Sequence, residues 1–209
     1  MEKTMTPSAD SASDTKTTTA GQITKAVANY RALLEKYAEE FPAEAVQTVL
    51  GQSELASEQF AVLRRRIEVV SNMIVRRVKV NRTRKPQEVL DATGRKQYTN
   101  RAVVDGMSQG EGDEAEVVFF NLGRYVTDTE LEKEYEMRGL VPADPYSLAA
   151  VNEADPAFAD EKPNGTHWQD SDGQWCCAAF YRWDGGRYVG VRRNVNDWDD
   201  HWWFAGRRK

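Results

Sequence analysis

Two histidines, His167 and His201, set the limits of acid–base chemistry in this sequence. His201 lies close to Asp199, and a pair of this kind, or one with Asp184, could perform general acid–base catalysis. A cysteine thiol beside His167 could act as a nucleophile in a second arrangement. A small hydrolase that uses His201 and nearby aspartates is therefore one hypothesis for the function.

Motifs that hold metals or nucleotide cofactors are absent from the sequence: it contains no CxxC, no HExxH, no GxxxxGK[ST] and no GxGxxG after a strand. The two cysteines, Cys176 and Cys177, are adjacent. They therefore lack the spacing of metal ligands and cannot staple distant segments of the chain. We expect no metal, no cofactor and no assigned catalytic residue, and we favour a non-enzymatic protein.

All six tryptophans lie in the last 42 residues of the chain. We expect Trp202 or Trp203 to anchor a final strand in the core, and Trp198 to be exposed on an acidic loop. Exposed aromatic patches usually mark binding sites. A ligand-binding module for carbohydrate or peptide is therefore an alternative function, although tryptophan could also fill a small two-faced sheet. The candidate residues are Trp183, Trp198, Asp199, Asp200 and His201.

Charge is strongly segregated along the chain. Residues 64–104 carry twelve basic and three acidic residues, whereas residues 105–172 carry seventeen acidic and four basic residues. Such a basic segment could neutralise the phosphates of a nucleic acid, or it could dock on the acidic segment of its own chain. An anionic partner is the leading hypothesis, with nucleic acid first and an acidic protein surface second. The candidate residues are Arg76, Arg77, Lys79, Arg82, Arg84 and Lys85.

Apolar residues at heptad spacing predict two helices in the first third of the chain. One seam runs from Ile23 to Phe41, and a second runs from Val46 to Ile74 with Gly51 as its weak point. Two such helices joined near Pro42 would form an antiparallel, coiled-coil-like helical hairpin. Because the second helix is longer, a second copy of the chain or the C-terminal domain is expected to cover the unmatched part of its seam.

The remainder of the chain predicts short helices packed on an antiparallel sheet. A buried strand is expected in 115–126, and the Thr127 capping box, the Asp144–Pro145 pair and Pro86 each predict the start of a helix. From residue 166 onward, turn residues at 172–173 and 184–186 separate the strands of a Trp-rich antiparallel β-meander. The predicted fold class is α+β.

These patterns divide the chain into four predicted parts: a disordered tail (1–21), a helical hairpin (22–78), a basic arm with a short helix (79–114) and an α+β domain (115–209). The longest strongly apolar run, residues 117–120, is far too short to span a bilayer. No membrane partner is expected, and the scarcity of cysteine indicates a reducing, cytoplasmic setting. The favoured function is that of an accessory protein that binds an anionic partner, with the hairpin serving assembly or partner contact.

Overall fold

The computed structural model of the protein describes residues 18–71 and 73–209. Residues 1–17, which form most of the predicted tail, lie outside the described residues. The chain divides into two compact units between Ile67 and Glu68. Among the described residues, no helix is both long enough and apolar enough to cross a membrane.

The first unit is helical. It contains α1 (Ala20–Lys36), a 3₁₀ turn (Ala38–Glu40), α2 (Ala43–Leu50) and most of α3 (Leu55–Ser71). Thr19 caps α1 in a capping box with Gln22. The second predicted helix is interrupted after Gly51, where the chain leaves the helix before α3 begins, so the prediction of one long helix is wrong. The apolar seams of these helices are exposed, and the packing of seam on seam stays a prediction.

The second unit is an α+β domain, which confirms the predicted fold class. Its helices are α4 (Pro86–Ala92), α5 (Arg101–Asp105), α6 (Asp128–Met137), α7 (Pro145–Ala154) and α8 (Phe158–Glu161). Its strands are β1 (Met73–Lys79), β2 (Lys96–Thr99), β3 (Glu114–Asn121), β4 (Leu140–Pro142), β5 (Asn164–Gln169), β6 (Trp175–Trp183), β7 (Gly186–Arg193) and β8 (Trp203–Arg208). Ile74, expected at the end of a helical seam, lies instead in β1 and is fully buried.

The strands form one mixed sheet in the order β1-β3-β8-β5-β6-β7-β2, with β4 beside β8. The expected antiparallel meander is present as β5-β6-β7, and Asp184 and Gly185 make its second turn with positive φ angles of 44° and 72°. The final strand does not continue that meander. It crosses to the other side of β5 and pairs with it in parallel, and β2 pairs in parallel with β7.

Two apolar cores lie on opposite faces of the sheet. In the larger core, α4, α5, α7 and α8 pack on one face of the sheet, and Phe119 and Phe180 are among its buried residues. The smaller core lies under α6 and includes Phe120, Tyr135 and Phe204. Alternation along β3 explains the division, because the neighbours Phe119 and Phe120 must point to opposite faces. Phe204, which is 1% exposed, anchors β8, whereas Trp202 and Trp203 are half-buried against the two cores.

The local start signals for the helices are confirmed. Thr127 and Glu130 make the capping box of α6, the Asp144 carboxylate caps α7 by accepting from the Ser147 amide, and Pro86 opens α4. These caps fix where each helix begins against the sheet.

The parallel pair β5–β8 is very short. It comprises Asn164 with Trp203 and Gly165 with Phe204, after which β4 pairs with β8 from Gly206 onward. Strand β5 therefore diverges from β8, and a cleft opens along β5 beyond Gly165.

Gly165→Ala should destabilise the second unit by about 1–3 kcal/mol. A Cβ at this position would lie 2.9 Å from two ring carbons of Trp198, so that the tryptophan must move. Gly190→Ala is the matched control, because its Cβ would meet nothing closer than 3.8 Å. Urea unfolding followed by circular dichroism measures both variants, and an equal effect of the two would contradict the packing of Trp198 on Gly165.

Candidate functional site

A row of aromatic side chains crosses the part of the sheet face that α6 does not cover. The strand register places Tyr181 opposite Tyr188, and Trp183 opposite Gly186, on one face of β6 and β7. Tyr98 of β2 lies beside them, where it pairs with Gly190. This face is the one that carries the smaller core, so the row is its continuation into solvent.

The rings of the row contact one another in sequence. Tyr188 stacks between Tyr98 and Tyr181, with centroid distances of 5.5 and 5.7 Å. Trp183 lies against Tyr188 at 6.4 Å, and Tyr181 meets the edge of Trp202 at 6.1 Å. We call these five residues the aromatic row. Gly186 makes room for it, because a Cβ there would lie 2.9 Å from the Tyr188 ring.

One end of the aromatic row is open to solvent and the rest of it is packed. Trp183 is 66% exposed and Tyr98 is 56% exposed, whereas Tyr188 is buried between its neighbours. Burial also raises the pKa of Tyr181, although nearby Arg192 acts in the opposite direction. The row therefore presents exposed ring surface on a rigid support.

Charges of both signs surround the aromatic row. Lys96 lies over Tyr188 with its ammonium group 5.6 Å from the ring centroid. At the other end, His201 is tilted against Trp202 at 5.4 Å, and its Nδ1 lies 3.8 Å from the Asp200 carboxylate. Three of the predicted candidates, Trp183, Asp200 and His201, therefore lie at the row. A fourth, Asp199, is half-buried, and its backbone carbonyl accepts a hydrogen bond from the Trp202 amide.

The expectation that Trp198 is exposed is wrong, because this residue is only 4% exposed. Its backbone forms an isolated antiparallel bridge with Val126, and its ring packs over Gly165 and meets the edges of Trp202 and Phe204. It supports the aromatic row from below, since Trp202 rests on it.

A buried carboxylate, Asp128, organises the region beneath the row. Trp198 Nε1 donates to its Oδ1 at 2.8 Å, and Asn194 Nδ2 donates to its Oδ2 at 2.8 Å. His167 Nδ1 lies 2.7 Å from the same Oδ1. Because an ionised carboxylate only accepts hydrogen bonds, Nδ1 of His167 carries a proton and donates it. The sequence contained the Thr127 cap beside Asp128, but no signal that linked Asp128 to His167.

His167 lies between two carboxylates. Its side chain is fully buried, and its ring stacks on Trp175 at 4.7 Å. Nε2 lies 3.0 Å from Oε1 of Glu132, although without the alignment of a hydrogen bond. Burial opposes a charge on this ring, but the hydrogen bond to Asp128 and the nearby Glu132 outweigh burial and raise the pKa of His167. Burial also opposes the charge on Asp128, yet the donors around it lower its pKa.

The two cysteine thiols are poorly suited to act as nucleophiles. Burial raises the pKa of Cys177 to about 12 and also raises the pKa of Cys176. A thiol nucleophile needs its thiolate form. Cys177 lies directly opposite His167 across the β5–β6 pair, but its thiol remains protonated near neutral pH.

Three of the candidate anion-binding arginines pair with the acidic segment of the same chain. Arg77 pairs with Glu116 at 2.7 Å, and Arg84 pairs with Glu153 at 2.6 Å. The Arg82 guanidinium donates to Asp144 at 2.9 Å and to Ser147 at 3.0 Å, and it also binds the carbonyls of Gln109 and Gly112. Lys79 and Lys85 are exposed, and Arg76 lies over the Phe158 ring.

A cleft of about 1140 Å³ opens beside β5, on the side where β8 has diverged. His167, Trp168 and Trp175 line it, together with residues 108–111 of the loop that Arg82 holds. The opposite wall includes Glu116 of β3 and Arg208 of β8, which pair with each other at 3.3 Å. Among the described residues, no group of three or more His, Cys, Asp or Glu side chains is arranged to hold a metal ion.

Comparison of the chain with protein-family models, with curated proteins and with solved structures found no match. The chemistry of the aromatic row, the buried carboxylate and the cleft therefore carries the assignment of function.

The stability of the second unit should depend on pH through His167 and Asp128. The ordinary pKa of His167 is 6.5 and folding raises it, so its contribution is complete below about pH 6.5 and is lost as the pH rises through the folded value. The ordinary pKa of Asp128 is 3.8 and folding lowers it, so its contribution is present above that value and is lost as the pH falls through the folded one.

Urea unfolding of the wild type and of His167→Gln between pH 5 and 9 measures this effect. The difference in unfolding free energy between the two should shrink as the pH rises through and above the ordinary pKa of 6.5. Gln169→Ala, which removes an exposed and non-ionisable side chain of the same strand, should show a difference that does not change with pH in this way. A constant difference for His167→Gln would contradict a charged His167 in the folded protein.

Arg82→Met should destabilise the second unit by about 3–5 kcal/mol, because it leaves the buried Asp144 carboxylate without its cation. The side chains of this pair are 13% and 9% exposed. Arg77→Met is the control, since its side chain is 83% exposed and an exposed ion pair contributes about 1 kcal/mol or less. Denaturant unfolding measures both, and equal losses would show that Arg82 has no special structural role.

Proposed function

We propose that the chain is a non-enzymatic binding protein that holds a neutral oligosaccharide on its aromatic row. The observation that carries the proposal is the continuous contact of rings from Tyr98 and Trp183 at one end to Trp202 and His201 at the other. Large exposed aromatic surface on a folded protein usually serves recognition. Tyr98 and Trp183, at one end of the row, expose more than half of their surface, as a ligand requires.

The chemistry of a sugar fits this surface. The C–H face of a pyranose ring packs flat on an aromatic ring, and its hydroxyl groups donate to carboxylates and accept from cations. Asp184 follows Trp183 at the turn, and Asp199 and Asp200 flank the other end of the row. An extended oligosaccharide could therefore contact rings along its length and polar groups at both ends.

The mixed charge around the row favours a neutral ligand over a polyanion. Lys96 and Arg192 lie on this face, but three aspartates stand at its ends. A nucleic acid bound along the row would bring phosphates close to those carboxylates, which repel them. The hydroxyl groups of a neutral sugar are not repelled by these carboxylates.

The binding of an anionic partner by the basic segment stays a prediction and is the rival of this proposal. Its support is weaker because Arg77, Arg82 and Arg84 already pair with carboxylates of the chain. The exposed Lys79 and Lys85 remain suited to such a partner. Assembly through the helices of the first unit also stays a prediction, for which their exposed seams are the support.

Isothermal titration calorimetry against a panel of neutral oligosaccharides tests the proposal, with cellohexaose, xylohexaose and laminarihexaose as probes. At least one should bind, and Trp183→Ala and Tyr98→Ala should each weaken binding about tenfold, since about 1.4 kcal/mol of lost ring contact corresponds to that factor. Tyr125→Ala is the matched control, because Tyr125 is equally exposed, at 66%, and lies outside the row.

Single-stranded DNA at 50 and 200 mM salt is the second arm of the same experiment. Tight, salt-sensitive binding of DNA that is lost on Lys79→Glu plus Lys85→Glu, with no binding of any sugar, would overturn the proposal in favour of the basic segment. Sugar binding that is equally weakened by Tyr125→Ala would remove the aromatic row as its site.

A further inference from the structure

Strand β1 ends the sheet on one side. It spans seven residues, and among the described residues the only strand that pairs with it is β3. Its other edge therefore presents alternate backbone N–H and C=O groups, which can pair with a further strand. The strand reads MIVRRVK, so it carries three basic residues and no acidic one.

The pairing with β3 fixes which backbone groups point away from the sheet. The Val80 amide donates to the Asp113 carbonyl, and these two residues continue the β1–β3 register by one position. Alternate residues of a strand direct their backbone groups to the same side. Residues 74, 76 and 78 therefore face β3 as Val80 does, and the outward groups include those of residues 75, 77 and 79.

These outward-facing residues are accessible. Val75 is 41% exposed, the Arg77 side chain is 83% exposed, and Lys79 is exposed as well. Within the described part of the chain, no backbone group of another segment bonds to the outer side of these three residues. Arg76 Nη1 donates to the Val75 carbonyl at 3.2 Å on the protein surface, and the amide of an added strand would take its place. The edge is therefore open to a partner.

An added strand would lie closer to the cations of β1 than to the carboxylates of β3. Side chains directly opposite each other on neighbouring strands are about 5 Å apart, whereas strands two positions apart in a sheet are separated by about 10 Å. The carboxylates Glu114 and Glu116 belong to β3, and Glu116 is shared between Arg77 and Arg208, at 2.7 and 3.3 Å. The added strand therefore meets a basic edge, which acidic side chains complement.

The same cations decide between a second copy of the chain and a different partner. Two copies of β1 that paired edge to edge would place the cations of each copy beside those of the other. Like charges opposite each other destabilise a strand pair, and basic residues on an edge strand are a common means of preventing self-pairing. A strand with carboxylates at these positions would instead be attracted.

We infer that β1 binds an extended peptide with acidic side chains, which adds to its outer edge as a further strand. The backbone of the peptide pairs with residues 75, 77 and 79, and its carboxylates lie beside Arg77 and Lys79. Addition of a strand to an exposed edge is a recurrent mode of peptide recognition, in which backbone pairing supplies affinity and side-chain contacts supply specificity. The aromatic row lies at the opposite end of the sheet, on β6, β7 and β2, so the two sites are separate.

A fluorescein-labelled peptide of sequence Thr-Glu-Val-Glu-Val-Glu-Thr is the probe, and fluorescence anisotropy measures its binding to the full chain. Two further peptides carry N-methyl groups on alternate amides, one in each frame, so that each lacks the hydrogen-bond donors of one strand edge. The unmodified peptide should bind, and the two methylated peptides should differ in affinity by about tenfold, because only one frame faces β1. Equal affinity of the two methylated peptides would mean attraction by charge alone, as a nucleic acid would also experience, and would overturn the inference.

Variants of the protein locate the binding site. Lys79→Ala should weaken binding of the unmodified peptide several-fold, and Lys79→Pro should weaken it further. Both variants remove the same charge, but proline also removes an outward amide while the pairing with β3 is kept. Lys85→Ala is the matched control, because Lys85 is exposed and lies outside β1.

Absence of saturable binding, or equal weakening by Lys79→Ala and Lys85→Ala, would overturn the inference. Trp183→Ala leaves β1 intact and should not change peptide binding. This result separates the edge of β1 from the aromatic row.

Discussion

The carboxylate of Asp128 is the interaction on which the arrangement of the second unit depends. It lies at the start of α6 and accepts hydrogen bonds from β5, through His167, and from the 194–202 loop, through Asn194 and Trp198. Three parts of the chain that are far apart in sequence therefore meet at one charge. A buried charge is costly unless its partners satisfy it, and each of these three donor contacts holds a different side chain to the Asp128 carboxylate. These hydrogen bonds therefore hold the 194–202 loop against α6.

That fixed loop holds Trp202, one end of the aromatic row. Trp198 can lie flat over β5 only because Gly165 has no side chain, and Trp202 then rests on Trp198. Asn121 of β3 holds the same loop from its other side by donating to the carbonyls of Asp200 and Trp202. The loop and Trp202 are therefore held from both sides of the segment.

Local signals in the sequence predicted much of the fold, and long-range contacts account for what they missed. The caps at Thr127 and Asp144 and the turn at Asp184–Gly185 act over four residues or fewer, so they can be found in the sequence. The crossing of β8 to the far side of β5 depends on pairing between Gly165 and Phe204, which no local pattern reports. The exposure of Trp198 was predicted from its acidic neighbours, but the indole N–H found a buried acceptor in Asp128, seventy positions away.

The segregation of charge along the chain also brings together residues that are far apart in sequence. In the sequence, the basic block before residue 105 and the acidic block after it are compatible with binding of a polyanion, and they favour docking of one block on the other. In the fold, Arg77, Arg82 and Arg84 lie on and just after the edge strand β1, and their carboxylate partners come from β3 and from α7 with its cap. Opposite charges therefore join an edge strand and its following loop to the centre of the domain. Part of the charge segregation in the sequence therefore serves pairing within the fold, while Lys79 and Lys85 stay exposed.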